Sequence, residues 1–371
     1  MSRDEFSIPP SAVPEPAPVS AESELPARGA ATTTLRQQVL EIIDAVLADT
    51  EAEGEWARTQ LRSFLEAHPG DPERALLEHL IATRQRAAEP ADAAPPLEHG
   101  VPRRRHTRKP KTVPVRFSRS VNKRIQTVLR DKLLLTAFQP INDLSSGNAI
   151  GVEALTRFVG SDGASADVWF NEASAVGLGI ELEIAALHCA LKAALEVPEN
   201  LFVAFNLTPG TCSDPRVREA LRAAHLAPDR IVIELTGRVQ PADGGSWAAS
   251  LDPLRQRGLR LAVSASATGM ASPEELAQVR PDIIKLDRKL IERIHESEGQ
   301  QSHAASIVGL ARGVGATVVA EGIETPAELA VVTDLGVTAG QGYLFGRPSV
   351  QPLDWSAWTI RPKQHLRLQM R

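Results

Sequence analysis

The 371-residue chain contains only two cysteines, Cys189 and Cys212. Neither lies at zinc-ligand spacing from other donors, and two thiols make no disulfide framework. Ordinary thiols in a reducing cytoplasm are expected. Long hydrophobic runs are also missing, and no window approaches the ~18 consecutive apolar residues of a membrane span. The first thirty residues lack the apolar stretch of a secretory leader, so no signal peptide is expected. They hold prolines at 9, 10, 14, 16, 18 and 26 and little that could form a core. Residues 1–30 are therefore expected to be disordered.

Acidic residues are absent between Arg103 and Arg124, where ten basic residues stand. The chain as a whole carries −5, so everything outside that stretch carries −15. A basic collar on an acidic body could touch anionic lipid, nucleic acid or another copy. It could equally be a solvated linker extended by self-repulsion. No aromatic residue lies between Arg103 and Lys111, so stacking on single-stranded bases gets no support.

Residues 31–88 read as a small helical module. Leu35, Val39, Ile42, Ile43, Val46 and Leu47 recur at helical spacing. A second helix is predicted over 55–67, ended by His68-Pro69-Gly70. Asp71-Pro72-Glu73 then restarts a third with an Asp cap and Pro in the first turn. About 55 residues of helix are marginal alone, so the module is expected to dimerise or to dock elsewhere. A Pro-rich and basic linker follows over 89–118.

From 119 to 360 the pattern becomes strand, loop, helix, repeated. Eight strands are predicted, at 133–138, 150–155, 201–206, 231–235, 259–263, 283–286, 317–320 and near Gly340. Unbroken apolar runs such as Ile231-Val232-Ile233 suit strands covered on both faces. The class is α/β, a TIM-like (β/α)8 barrel. Such barrels carry their sites where strands end. The predicted ends fall at Glu153, Asn206, Glu234, Lys285 with Asp287, Glu321 and Gln341. Polar groups at so many strand ends favour a site for a cation or a phosphate-bearing ligand.

Several of these residues sit in recognisable motifs. Phe138-Gln139-Pro140-Ile141 precedes Gly151-Val152-Glu153-Ala154-Leu155-Thr156-Arg157. Asn206-Leu207-Thr208-Pro209, Ile233-Glu234-Leu235-Thr236, Ile284-Lys285-Leu286-Asp287-Arg288, Glu321-Gly322-Ile323-Glu324-Thr325 and Gln341-Gly342-Tyr343-Leu344-Phe345 follow in order. In these motifs the chain resembles the EAL family of bacterial cyclic-di-GMP phosphodiesterases, over about 225 residues from Arg124 to Pro348. The resemblance implies a two-ion Mg²⁺ or Mn²⁺ site with Glu153, Asn206 and Glu234 as ligands. It implies that Lys285 and Glu321 position and deprotonate water, that Asp287 and Gln341 line the metals, and that Glu324 braces a loop. Gln139, Leu155 and Arg157 match positions that hold the dinucleotide.

One motif departs. Where the family has Asp-Asp-Phe-Gly-Thr-Gly, this chain has Ser264-Ala265-Ser266-Ala267-Thr268-Gly269. Two anionic ligands are replaced by a neutral hydroxyl and a methyl, poor partners for a hard divalent ion. Gly237 replaces a Glu after Thr236, and Met270 stands where Tyr is common. The resulting expectation is a cyclic-di-GMP receptor that does not hydrolyse its ligand and needs no cofactor, with Mg²⁺ or Mn²⁺ retained at no more than one site. The alternatives are a protein-interaction module that no longer binds the nucleotide, and a residual metal-dependent phosphodiesterase. Neither a diguanylate-cyclase partner domain nor a sensory domain is recognisable. Partners are expected through the N-terminal helices or the barrel, and a homodimer by resemblance.

Overall fold

The computed structural model describes residues 35–48, 55–88, 115–159, 164–237, 246–265, 279–350 and 354. The expected disordered N-terminus, the linker from 89 to 114, its basic run Arg103–Lys111, and Ser266 to Met270 lie outside them.

Three helices come first: α1 (Leu35–Ala48), α2 (Glu55–Ala67) and α3 (Pro72–Ala88). Asp71 caps α3 as expected, its Oδ1 accepting from the Arg74 amide at 3.0 Å. Leu61 and Leu76 are fully buried between the helices. Arg36 pins α1 to the start of α3 through Glu73, at 3.2 Å, and through the Gly70 carbonyl, at 2.9 Å. The apolar side of α1, with Val39, Ile42 and Ile43, is continuous with the barrel's own core. Of the two outcomes expected for a marginal module, docking is the one observed, and the surface is the barrel beside β1.

A fourth helix, α4 (Val115–Asp131), runs where the linker was expected to continue to residue 118. Its Val121, Ile125 and Val128 are buried at 4,3 spacing, so the end of the basic stretch is helical, not an extended linker. Arg124 lies 4.2 Å above the Trp169 ring and pairs with Glu172. Arg119 and Lys123 are exposed away from this stripe, whereas Arg124 lies along it over Trp169.

Eight strands close a barrel in chain order: β1 (Leu134–Asp143), β2 (Ala149–Phe158), β3 (Phe202–Leu207), β4 (Ile231–Leu235), β5 (Arg260–Ala265), β6 (Ile283–Leu286), β7 (Thr317–Ala320) and β8 (Ala339–Gln341). All eight were predicted, but the uniformly parallel order of a TIM barrel was not kept. β1 is antiparallel to both β2 and β8, and the rest pair in parallel. The reason is local: only residues 144–148 join β1 to β2, too few for the crossover a parallel pair needs. Asp143 builds that turn, its carboxylate accepting from the Ser146 amide at 2.7 Å, and Gly147 supplies φ 74°.

Among the described residues, the helices after β2 are α5 (Ala166–Ala175), α6 (Gly179–Ala193), α7 (Pro209–Cys212), α8 (Pro215–Ala223), α9 (Ser246–Arg255), α10 (Arg288–Ile291), α11 (Glu298–Val314) and α12 (Pro326–Asp334). Inside the barrel, Ile141, Phe202, Val232, Ile283 and Val319 fill the lower level, so the polar residues above them sit on a packed floor.

Candidate ligand and metal site at the barrel mouth

Strand register decides which polar residues meet. Glu153 pairs with Ala204 on β3 and with Gln139 on β1. It lies inside β2, which continues to Phe158, so it does not end the strand as the sequence suggested. Asn206 sits beside Glu234, and Ser264 beside Lys285. Glu321 follows β7, its amide bound to the Leu286 carbonyl, and Gln341 ends β8.

At the centre stands Lys285, with a side chain only 2% exposed. Its Nζ donates to Glu153 Oε2 at 2.9 Å and to Glu234 Oε2 at 2.5 Å, and pairs with Glu321 Oε1. Lys285 thus faces three carboxylates, those of Glu153, Glu234 and Glu321. Asn206 donates to Glu153 Oε1 at 2.8 Å. Gln341 Nε2 bridges Glu153 Oε2, at 2.9 Å, and Gln139 Oε1, at 3.0 Å. Gln139 in turn donates to the Gly346 carbonyl at 3.0 Å.

The electrostatics follow from one buried ammonium facing three carboxyls, two of them buried. Burial alone would lift the Glu153 carboxyl, but attraction to Lys285 and hydrogen bonds from Asn206, Lys285 and Gln341 hold it below its ordinary value. Burial pushes Glu234 up to about 8 against the pull of Lys285, with Glu153 and Glu321 repelling its charge. Glu321 is raised too, by burial and by repulsion from Glu153 and Asp287. Burial disfavours the Lys285 ammonium, yet the three carboxylates overcome it and hold the group well above its usual value.

Two expected site residues lie at the edge of this lattice. Asp287 Oδ1 caps α10 through the Leu290 amide at 3.0 Å. The Glu324 carboxylate pairs with Arg288 at 2.9 Å, at an exposed position. Leu155 and Arg157 line an open cavity of about 490 Å³ that begins at Glu153 and Asn206 and runs along β2 under α5 and α6.

Two positioning residues escaped the sequence reading. Glu328 binds the amides of Arg293, Glu324 and Thr325 at 2.9–3.0 Å, tying the loop after β7 to the turn after α10. The Thr325-x-x-Glu328 capping box was legible in principle. Glu183 on α6 accepts from the Thr208 amide at 2.8 Å, fixing the loop after Asn206, and no local pattern announces it. At Gly342 a Cβ would stand 2.1 Å from the Ile323 carbonyl oxygen, so only glycine lets the two mouth loops close on each other.

Would metal fit here? Oxygens of Glu153, Glu234 and Glu321 lie within 4.8 Å of one another, a donor set of the right hardness for one divalent ion. Gln341 Oε1 is buried without a hydrogen-bond partner. A second ion does not fit: the end of β5 offers Ser264 and Ala265, and among the described residues no carboxylate replaces the missing pair.

The family model for the EAL domain matches residues 122–348, more than half of the chain. The chain belongs to the EAL family. This EAL-domain chain is 31% identical over 236 residues to the cyclic di-GMP phosphodiesterase NbdA of Pseudomonas aeruginosa, covering 60% of the chain and 30% of NbdA. It is 26% identical over 261 residues to the probable cyclic di-GMP phosphodiesterase PdeB of Escherichia coli, covering 68% of the chain and 49% of PdeB. The EAL-domain chain therefore spans less than half the length of these relatives. Among solved structures it matches Klebsiella pneumoniae BlrP1 in a calcium and cyclic-di-GMP complex, with TM-score 0.52, 30% identity, and 58% and 56% of the two chains covered. The EAL enzyme Bd1971, bound to cAMP and cyclic di-GMP, shares the fold at TM-score 0.61 and 22% identity, with 67% and 70% covered.

Proposed function

We propose that this EAL domain binds cyclic di-GMP at the barrel mouth and does not hydrolyse it, acting as a receptor in cyclic-di-GMP signalling. The observation that carries the reading is the mouth itself. An open cavity bordered by Arg157, Asn206 and Leu155 stands beside a carboxylate cluster already neutralised in part by Lys285. In the family, two ions supply an activated water and bind the phosphoryl oxygens. Here Ser264 and Ala265 leave only one such place, and Lys285 sits in it. What the chain's own residues can do is hold a dianionic ligand: Arg157 by charge, Asn206 by the amide N–H not given to Glu153, with Leu155 against an apolar face.

A second reading, a barrel that has become a platform for a protein partner, is favoured by the same closed lattice, because Lys285 quiets the mouth with no ligand at all. Calorimetric titration of cyclic di-GMP into the full chain, once with Mg²⁺ and once with EDTA, separates them. Saturable binding that EDTA leaves unchanged, with intact nucleotide recovered afterwards, is the expected result. Linear dinucleotide formed with Mn²⁺, at a rate that Glu153→Ala abolishes, would falsify the receptor reading and restore the enzyme. Absence of binding in both buffers would leave the platform.

A further inference from the structure

The structure holds a second cavity, of about 310 Å³, on the far side of α6 from the mouth. Leu187 and Ala190 of α6 line the mouth cavity, whereas Cys189 and Lys192 line this one. Its other walls are α1, the end of α4 and the start of β1. The floor is Ile42, Leu129, Leu134, Ala185 and the Cys189 thiol. That thiol donates to the Leu134 carbonyl and accepts from Thr136, both at 3.6 Å, and burial pushes its pKa up. The neutral thiol forms an uncharged part of the wall and reacts only slowly.

The rim is charged and exposed: Lys132, His188 and Lys192 with Glu41 and Asp131. Asp131 is already paired with Arg130 through both oxygens, at 2.7 and 2.8 Å. Two lysines therefore face one uncommitted carboxylate, a rim that favours an anion. Lys132 adds an independent sign. It stands just past the end of α4 at φ 54°, the left-handed place where glycine or asparagine is usual. A lysine is disfavoured there relative to the right-handed form, and its position puts an ammonium on the rim. At ~30 Å³ per water-sized group, the cavity takes about ten such groups.

We propose that this cavity binds a medium-chain carboxylate, an amphipathic monoanion of about eight to ten carbons. The chain lies on Ile42, Leu129, Leu134 and Ala185, and the carboxylate meets Lys132 and Lys192. The cavity exists only where the helical module meets the barrel, so its ligand is read by both.

The test uses the full chain with decanoate, and decan-1-ol as the uncharged control, both below their aggregation limits. Calorimetry gives the affinity. The rate of Cys189 alkylation by N-ethylmaleimide, read by mass spectrometry against the fully buried Cys212, gives the place. Decanoate is expected to bind saturably, to slow Cys189 alkylation by about fivefold or more, and to bind about tenfold or more tightly than the alcohol. Lys192→Glu, at an exposed position, is expected to lose about tenfold in affinity with an unchanged unfolding midpoint. Ala185→Trp fills the floor and is expected to abolish binding. No saturation, equal binding of the alcohol, or unchanged affinity in Lys192→Glu each overturns the proposal. If Ala185→Trp fails to fold, Lys192→Glu and the alcohol still decide it. None of these outcomes depends on whether cyclic di-GMP binds at the mouth.

Discussion

Lys285 is the residue on which the mouth turns, because one buried ammonium stands against the buried carboxyls of Glu153 and Glu234 and the half-buried one of Glu321. Taking away one partner of a buried ionic group costs about 3–5 kcal/mol, since the charges left behind have neither water nor counterion. Lys285→Met is therefore expected to lose stability of that order in urea. Mn²⁺ should stabilise the variant more than the parent, because the carboxylates then lack a resident cation. An unchanged urea midpoint would show that the lattice carries no such strain. His79 makes a pH-dependent counterpart in the helical module. It is buried with Nδ1 3.0 Å from Gln60 Oε1, and burial pushes its pKa from 6.5 to about 4. The unfolded chain thus takes up the proton first. The stability gained by keeping His79 neutral is whole above pH 6.5 and drains away as pH falls toward 4, by about 3 kcal/mol at most. His79→Gln should flatten that acid limb in urea melts at pH 7 and pH 5, and a parent-like slope would refute the assignment.

Among the elements, α4 was the one hidden from the sequence. Its basic residues dominated the composition, and a run of one charge reads as a solvated linker. The apolar residues at 121, 125 and 128 were visible, but nothing local said that Trp169 and Glu172 on α5 would hold Arg124 in place. Ile125 is fully buried at the centre of the cluster with Val128, Phe158 and Trp169. Ile125→Ala is expected to cost about 2–5 kcal/mol through lost burial and an unfilled cavity, measured by urea unfolding. A cost below about 1 kcal/mol would mean that α4 is only loosely attached. The eight strands, by contrast, were legible, since apolar runs of four to six residues between helical patterns have few other readings. Their direction was not: the predicted strands left residues 139–149 between β1 and β2, and only the structure extends both strands until residues 144–148 alone connect them.

For the molecule as a whole, the helical module and the barrel share a core. Val39, Ile42 and Ile43 belong to the same apolar cluster as the barrel's outer residues. Ile42→Asp places a charge where it cannot be solvated. Amide exchange in α1–α3 is then expected to speed up while β3 to β7 keep their protection. Parent-like protection in α1 would refute the docking. The sequence by itself determined the alternation of strands and helices, the cap at Asp71, and the polar residues spaced to meet at one mouth. These are local matters of periodicity and side-chain chemistry. Only the tertiary structure decided that Lys285 lies among Glu153, Glu234 and Glu321, that α1 closes on the barrel, and that α6 divides two cavities. Each of those depends on residues far apart in the chain, brought together by strand register and helix packing, and no window of sequence contains both partners.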